Sequence, residues 1–329
     1  MELSVLPRVS VIIATYNPRR EVIAWALDLL ARQTMPKSEF EVVVSDNGSE
    51  PPLDEAALNG SRGLRLRVVR EPRHGVTYAR CTGILAAEND LLLFVDDDNG
   101  LDPDYLETAA RIAVEWPQLG AFGGIAQLRS DVSLPKWKEN LLPWVGVRDY
   151  GTRVITSAKD VWGPWEPIGA GMAFRRDIGL EFVRAVQTDP LARALGRNGK
   201  SFIAGEDSLL ARLAYRLGYT CSYQPALKLT HWIKSSRLTA SHLAKTVEGL
   251  GRAFVIWETV LGRPQPDYSA LHAIFEIAKR LRHRIREKGA RTGAIEWCWD
   301  LGYFRQARLL HRSEEWRYEP QVLHRHSEL

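Results

Sequence analysis

The sequence predicts an α/β fold, with a mostly parallel central sheet flanked by helices and a helical C-terminal region. Strand-like and helical runs alternate from Val9 to Pro117. The strand-like runs are apolar and rich in β-branched residues, with little polar alternation, as expected of strands buried on both faces. Beyond residue 238 the periodicity becomes almost wholly helical.

Each element follows from local chemistry. Val9-Ser10-Val11-Ile12-Ile13-Ala14 reads as a first strand, and Thr15-Tyr16-Asn17-Pro18 ends it because proline cannot extend the ladder. Residues 20–33 carry Val22, Ile23, Ala26, Leu27, Leu29 and Leu30 at helical spacing. Glu41 to Ser45 is a second strand, halted by Asp46-Asn47-Gly48-Ser49. Leu66 to Arg70 is a third. Val76 to Ala87 reads as a helix whose small residues, Ala79, Gly83, Ala86 and Ala87, permit close packing. Leu91 to Val95 is the most hydrophobic strand and runs straight into Asp96-Asp97-Asp98-Asn99. A helix over 104–115 ends at Pro117. Residues 130–168 hold Trp137, Trp144, Trp162 and Trp165 among prolines and glycines, which predicts a packed but irregular segment. Leu209 to Leu217 is helical, after Gly205-Glu206-Asp207.

Composition narrows the function. The chain has 329 residues, 45% hydrophobic and 26% charged, so it can bury a full core and lacks the signature of disorder. A net charge of +4 argues against a uniformly basic coat for nucleic acid. Cys81, Cys221 and Cys298 are widely spaced, with no CxxC, which speaks against structural zinc and disulfides and for a reducing cytoplasm. No apolar run approaches the ~20 residues of a membrane span, and the N-terminus does not read as a signal peptide. The expectation is a cytoplasmic protein, soluble or peripheral on the inner face of a membrane.

Ligands of open α/β sheets bind at the carboxyl ends of the strands. Thr15, Tyr16, Asn17, Asp46, Asp96, Asp97 and Asp98 fall there. Three consecutive carboxylates repel one another, and a hard cation such as Mg²⁺ or Mn²⁺ relieves that repulsion. Two readings stand: a metal-bound diphosphate, or a solvated acidic loop before the helix near Pro103. There is no GxxxxGK[ST] loop and no GxGxxG after the first strand, so NAD and P-loop ATP enzymes are disfavoured. Glu206 and Asp207 precede a helix expected near Ser208. They serve either as favourable charges at its N-terminus or as a source of a general base. His231 follows a strand-like run; a lone histidine is more often structural than a ligand.

The order of these motifs resembles the family 2 glycosyltransferases, the inverting group with the GT-A fold. The matching text is Val9 to Asn17, Val44 to Ser49, Ala79-Arg80 with Gly83, Phe94 to Asn99 with Pro103, Gly169 to Arg176, and Gly205 to Leu209. The resemblance covers residues 9 to about 235. It implies a catalytic domain over 1–235, its nucleotide part roughly 1–120 and its acceptor part roughly 121–235, with a helical region over 236–329. It further implies that Thr15, Tyr16 and Asn17 line the nucleotide pocket, that Asp46 meets a uracil-like base and that Arg80 contacts the nucleotide. Asp96 and Asp98 would be the outer members of a DxD motif. Asp98 would bind Mn²⁺ or Mg²⁺, Asp96 would reach the ribose or a metal-bound water, and Asp97 would share the work. His231 matches a third metal ligand of some relatives. Asp207 would be the base, with Glu206 shaping the acceptor site. Gly171 and Met172 match the loop beneath the transferred sugar. Trp165, in the tryptophan-rich stretch, is a candidate for stacking on sugar rings, against the simpler reading that these aromatics pack the core. The implied partners are a UDP-sugar donor and a glycan or lipid-linked glycan acceptor, as in cell-surface polysaccharide synthesis.

Residues 270–288 read as an amphipathic helix. Leu271, Ile274, Ala278, Leu281 and Ile285 recur on one face, opposite Lys279, Arg280, Arg282, Arg284, Arg286 and Lys288. The window 279–291 alone carries +6, leaving −2 for the rest. The region 270–291 suits an anionic membrane surface, or it packs its apolar face on the catalytic domain. Competing functions are a sugar-phosphate nucleotidyltransferase, which usually opens on a glycine-rich phosphate loop absent here, and a non-catalytic nucleotide-sugar or nucleic-acid binder. Nucleic acid is disfavoured because the basic run reads as a helix and the strands are apolar.

Overall fold

Period-two alternation along the first strand divides the protein into two layers. The structure, a computed structural model, describes residues 6–199, 201–263, 265–266 and 268–312. The strands are β1 (Val9–Thr15), β2 (Phe40–Asp46), β3 (Leu66–Arg70), β4 (Leu91–Phe94), β5 (Asn99–Leu101), β6 (Leu119–Arg129), β7 (Ile155–Ser157), β8 (Met172–Arg175) and β9 (Thr220–Trp232). Val9, Val11 and Ile13 of β1 point into one core, where they meet Val42 and Val44 of β2 and Leu91 and Leu93 of β4. Ile12 points into the other, with Leu92 and Phe94.

Helices α1 (Arg20–Ala31), α2 (Glu55–Asn59), α3 (Val76–Ala86), α4 (Tyr105–Glu115) and α5 (Lys136–Glu139) come from the first half. The apolar stripe predicted for α1 is realised: Ile23, Leu27 and Leu30 enter the first core with Tyr105 to Ala113 of α4. The predicted small face of α3 also has its use. A Cβ on Gly83 would stand 2.3 Å from Ile12 Cγ2, so glycine sets the approach of α3 to β1. Helices α6 (Arg176–Thr188), α7 (Pro190–Ala194), α8 (Glu206–Arg216) and α9 (Ala240–Val260) build the second core with α3.

The sheet order is β3-β2-β1-β4-β8-β6-β9-β5, with β7 on β9. β3, β2, β1 and β4 pair in parallel, as do β6 and β9. β8 enters antiparallel between β4 and β6, and β5 and β7 run antiparallel to β9. The mostly parallel sheet is therefore interrupted by three short reversed strands. They come from the segments between the main units: the acidic loop, the irregular stretch after 130, and the glycine-rich stretch before α6.

Within that irregular stretch Trp137 and Trp144 pack against a third core of Leu141, Val145, Ile233, Leu243 and Val247. Trp165 packs against the second core, and Trp162 is exposed. Packing accounts for three of the four. α9 places Ala253, Ile256 and Trp257 in the second core.

Helices α10 (Ala270–Lys288) and α11 (Ala290–Arg312) follow α9. Here the helix is as predicted but its orientation is not what apolar packing would give. α10 meets its neighbours through Ala273 and Ile277. Arg280 and Arg284 also turn inward, to the carboxylate of Asp300 at 3.0 and 2.7 Å. Leu271 and Ile274, two residues of the predicted apolar face, face solvent and do not pack on the catalytic domain. Among the described residues no helix is long and apolar enough to cross a membrane.

Candidate active site

Because β1, β2 and β4 are parallel, their carboxyl ends open on one edge of the sheet. A cavity of about 650 Å³ lies there, lined by Ala14, Thr15, Tyr16, Asn47, His74 and Gly75, by Val76 and Ala79 of α3, and by the segment 197–199. Thr15 and Tyr16 thus lie on its wall at the carboxyl end of β1. Tyr16 is 54% exposed and meets His74 edge-on at 5.4 Å. Asn17 adopts a positive φ of 46° and anchors the turn: its N–H donates to Ser49 Oγ at 2.9 Å and its Oδ1 accepts from Glu50 N at 2.9 Å.

Asp46 is buried rather than presented to the cavity. It accepts from Ser49 N at 2.8 Å and Leu53 N at 3.2 Å, with Arg70 at 3.6 Å. Burial alone would raise its pKa, but these donors and the Arg70 charge bring it below the ordinary carboxylate value. Asn47 lines the cavity instead, and ties the loops by accepting from Gly75 N at 2.7 Å.

The three aspartates have distinct surroundings. Asp96 accepts from Arg80 Nη2 at 3.2 Å. Asp97 accepts from the Thr15 hydroxyl. Burial and the charges of Asp98 and Asp96 push the Asp97 carboxyl up to about 7, against the Thr15 bond. Asp98 lies 3.3 Å from His231 Nε2 and accepts from Arg237 Nη1 at 2.9 Å. Burial opposes its ionisation, yet His231 and Arg237 bring it down to about 2. His231 lies inside β9, not after a strand, and pairs in register with Asn99 of β5. That pairing carries it to the acidic loop from far along the chain.

The fit of a divalent cation can be judged on these groups. Asp98 is held ionised, and His231 Nε2 is buried with no hydrogen-bond partner while facing it. One hard carboxylate beside one imidazole nitrogen suits a cation that draws its remaining ligands from a diphosphate. Among the described residues no three His, Cys, Asp or Glu side chains form a dedicated metal cage.

The second acidic cluster starts α8, two residues earlier than the periodicity indicated. Asp207 Oδ2 accepts from Gly169 N and Oδ1 from Ser208 N, each at 2.8 Å. Both bonds hold the carboxylate through main chain. Glu206 is buried, and its Oε1 accepts from Arg80 Nη1 at 3.0 Å. Burial raises its pKa despite Arg80. Arg80 therefore bridges Asp96 and Glu206, joining the β4 loop to the start of α8, with its guanidinium 4.6 Å from the centre of the Phe94 ring.

Gly171 and Met172 bracket the entry to β8. Gly171 sits at φ +73°, and its carbonyl accepts from Tyr105 Oη at 2.6 Å. Met172 is fully buried in the second core. Trp165 is half-buried with its Nε1 unpartnered. Sequence reasoning passed over His74, Arg197, Arg237 and Glu166. Glu166 pairs with the buried Arg212 at 2.5 Å, and burial pushes it up to about 7. Burial and the Arg237 charge lower the basicity of Arg197, while the carboxylates of Glu206, Asp96 and Asp207 support it. None of the four lies in a motif, and only the tertiary fold brings them in. Asn47, by contrast, stood in the quoted Asp46-Asn47-Gly48-Ser49 loop.

The family model described as "Glycosyl transferase family 2" matches residues 10–179, more than half of the chain. The chain belongs to that family. It is 40% identical over 106 residues to the glycosyltransferase AglE of Haloferax volcanii, covering 32% of this chain and 34% of that protein. It is 32% identical over 107 residues to the putative glycosyltransferase EpsH of Bacillus subtilis, covering 32% and 30%. The matched part thus spans about a third of the length of these curated relatives. A crystal structure of GalNAc-T7 with UDP, GalNAc and Mn²⁺ superposes with a TM-score of 0.50 at 16% identity, covering 83% of this chain and 54% of that one. The architecture expected from the motif order, a GT-A sheet with flanking helices and a helical C-terminal region, is the one observed.

Proposed function

We propose that this protein is an inverting glycosyltransferase that moves a sugar from a nucleotide diphosphate, UDP by preference, to a hydroxyl of a glycan or lipid-linked glycan. The observation that carries the proposal is the bridge Asp96–Arg80–Glu206, which ties the loop after β4 to the start of the helix that carries Asp207. Asp207, fixed by the main chain of Gly169 and Ser208, takes the proton of the acceptor hydroxyl at a carboxylate oxygen. The base and the acidic residues that would hold the donor diphosphate come from separate loops, at the start of α8 and after β4. A single in-line displacement inverts the anomeric carbon in that arrangement, whereas a retaining reaction needs a close carboxylate pair.

Thr15, Tyr16, Asn47 and His74 form the wall against which the base and ribose lie, and the buried Asp46 and the strained Asn17 hold that wall in shape. Arg197 and Arg237 bring positive charge to the phosphate side. Asp98 with His231 would hold Mn²⁺ or Mg²⁺, which when bound supplies Lewis-acid neutralisation of the departing diphosphate. Gly171 sets the main chain beneath the sugar, and Met172 supports it from within the core. Trp165 braces the acceptor side.

The test is donor turnover by purified protein, read as UDP release across a panel of UDP-sugars with Mn²⁺ and a glycan acceptor. Asp207→Asn should abolish transfer while leaving donor binding and melting temperature in place. Near-normal turnover by that variant would remove the assignment of the base.

A further inference from the structure

We propose that the outward face of α10 docks the protein on an anionic lipid bilayer. The helix has an unusual division of labour. Its contact with the rest of the chain uses Ala273 and Ile277, and two of its arginines, Arg280 and Arg284, are spent on the buried Asp300, with Glu296 at 3.4 Å from Arg284. The large apolar residues are left outside. Leu271 is 81% exposed, Ile274 63% and Phe275 67%, and Ile285 is exposed nearly three turns further on. Positions 271, 274, 275, 278 and 282 recur at three- and four-residue spacing, so they share one side of the helix. Clustered exposed apolar residues mark a contact surface, whereas scattered ones need no explanation.

The charge around this stripe chooses the partner. Arg282 follows Ala278 on the same side, and Arg286 follows Arg282. Neither forms an ion pair among the described residues, nor does Lys288. Lys279, which among the described residues pairs with Glu276 at 3.3 Å, is also exposed. An apolar stripe beside unpaired cations matches the boundary between acyl chains and anionic headgroups. A polyanion alone would not call for Leu271, Ile274 and Phe275, and a purely apolar partner would leave Arg282 and Arg286 without use. Only the outward cations take part, since Arg280 and Arg284 belong to the fold.

The experiment is co-sedimentation of the full chain with phosphatidylcholine vesicles, with and without phosphatidylglycerol. The protein should pellet with the anionic vesicles at low salt, stay in solution with the neutral ones, and be released as salt screens the headgroups. The triple variant Leu271→Ser/Ile274→Ser/Phe275→Ser should lose binding. Arg282→Ser/Arg286→Ser should weaken it about 30-fold, the weight of two basic contacts. Both sets lie at solvent and should melt like wild type; the charge pair gives an independent reading if the apolar triple does not. Failure to pellet with anionic vesicles, equal binding to neutral ones, or full binding by the charge variant would overturn the proposal. So would a photo-crosslinker at position 275 that, with vesicles present, links to residues 313–329 or to a second copy. None of these outcomes bears on sugar transfer, so the two readings stand or fall separately.

Discussion

Removing the cation that joins the two acidic loops tests the site at its centre. Arg80→Met keeps the length and apolar body of the side chain and deletes the guanidinium. Two bonds vanish, to Glu206 at 3.0 Å and to Asp96 at 3.2 Å, and the face of Phe94 loses its cation. Asp96 is partly hydrated and can recover; the Glu206 side chain is 8% exposed and cannot. Breaking one partner of a buried pair costs about 3–5 kcal/mol, because the other charge stays behind unpaired. Glu206 has one escape, protonation, and its pKa is already raised by burial with Arg80 in place. The loss should therefore be largest near pH 7–8 and shrink on acidification toward the ordinary carboxylate value. Urea unfolding at pH 8 and pH 5.5 measures this directly. Arg80→Met/Glu206→Met should recover most of the loss, since no charge then remains buried. A loss below about 1 kcal/mol at pH 8, or no recovery in the double variant, would refute the bridging role.

Other expectations follow the same logic. Gly171→Ala should cost about 1–3 kcal/mol and lower the melting temperature, because a Cβ there stands 2.5 Å from Leu229 and from Tyr105 Oη, at a positive φ. Gly199→Ala, equally positive in φ but with nothing within 4 Å of its Cβ, should cost less. Glu166 gives a pH signature. Its carboxyl is pushed from 4.5 to about 7, so between those values the native protein keeps a proton that the unfolded chain has released. Stability should fall as pH rises through that window and level off above it. Glu166→Gln should flatten that fall in melts taken from pH 4.5 to 8, and an unchanged slope would show that the group is ionised throughout. For the cation, Mn²⁺ should raise the melting temperature in the presence of UDP through mass action, and Asp98→Asn should erase the increment. An increment of equal size in the variant would move the ligand elsewhere.

The parts of the site legible in the sequence are those held by short-range chemistry. Thr15 and Asp96 were found because a buried strand must end and polar residues mark the end. Asp207 was found because it sits at a helix start. The strands and helices up to Pro117 were legible for the same reason: their periodicity is local. What escaped lies in pairings between distant segments. His231 was named through the family resemblance, but its place beside the acidic loop comes only from the register of β9 with β5. Arg237 and Arg197 come from connections whose place depends on the whole fold, and Glu166 is explained by Arg212 across the second core. The orientation of α10 was hidden for a different reason. Hydrophobic spacing identifies the apolar face, but ion pairs to Asp300 decided which face turned inward.

The Arg80 bridge also acts as a ruler. The gap between the donor-side carboxylate and the helix that carries Asp207 is spanned by one rigid, planar group, although Arg80 and Glu206 lie 126 positions apart in the chain. Loop conformations on either side can vary in sequence without altering that gap, so long as the guanidinium stays. The spacing between the loop after β4 and the start of α8 is thus set by covalent geometry rather than by the sum of two flexible loops. A lysine in its place would keep the charge and lose the measure.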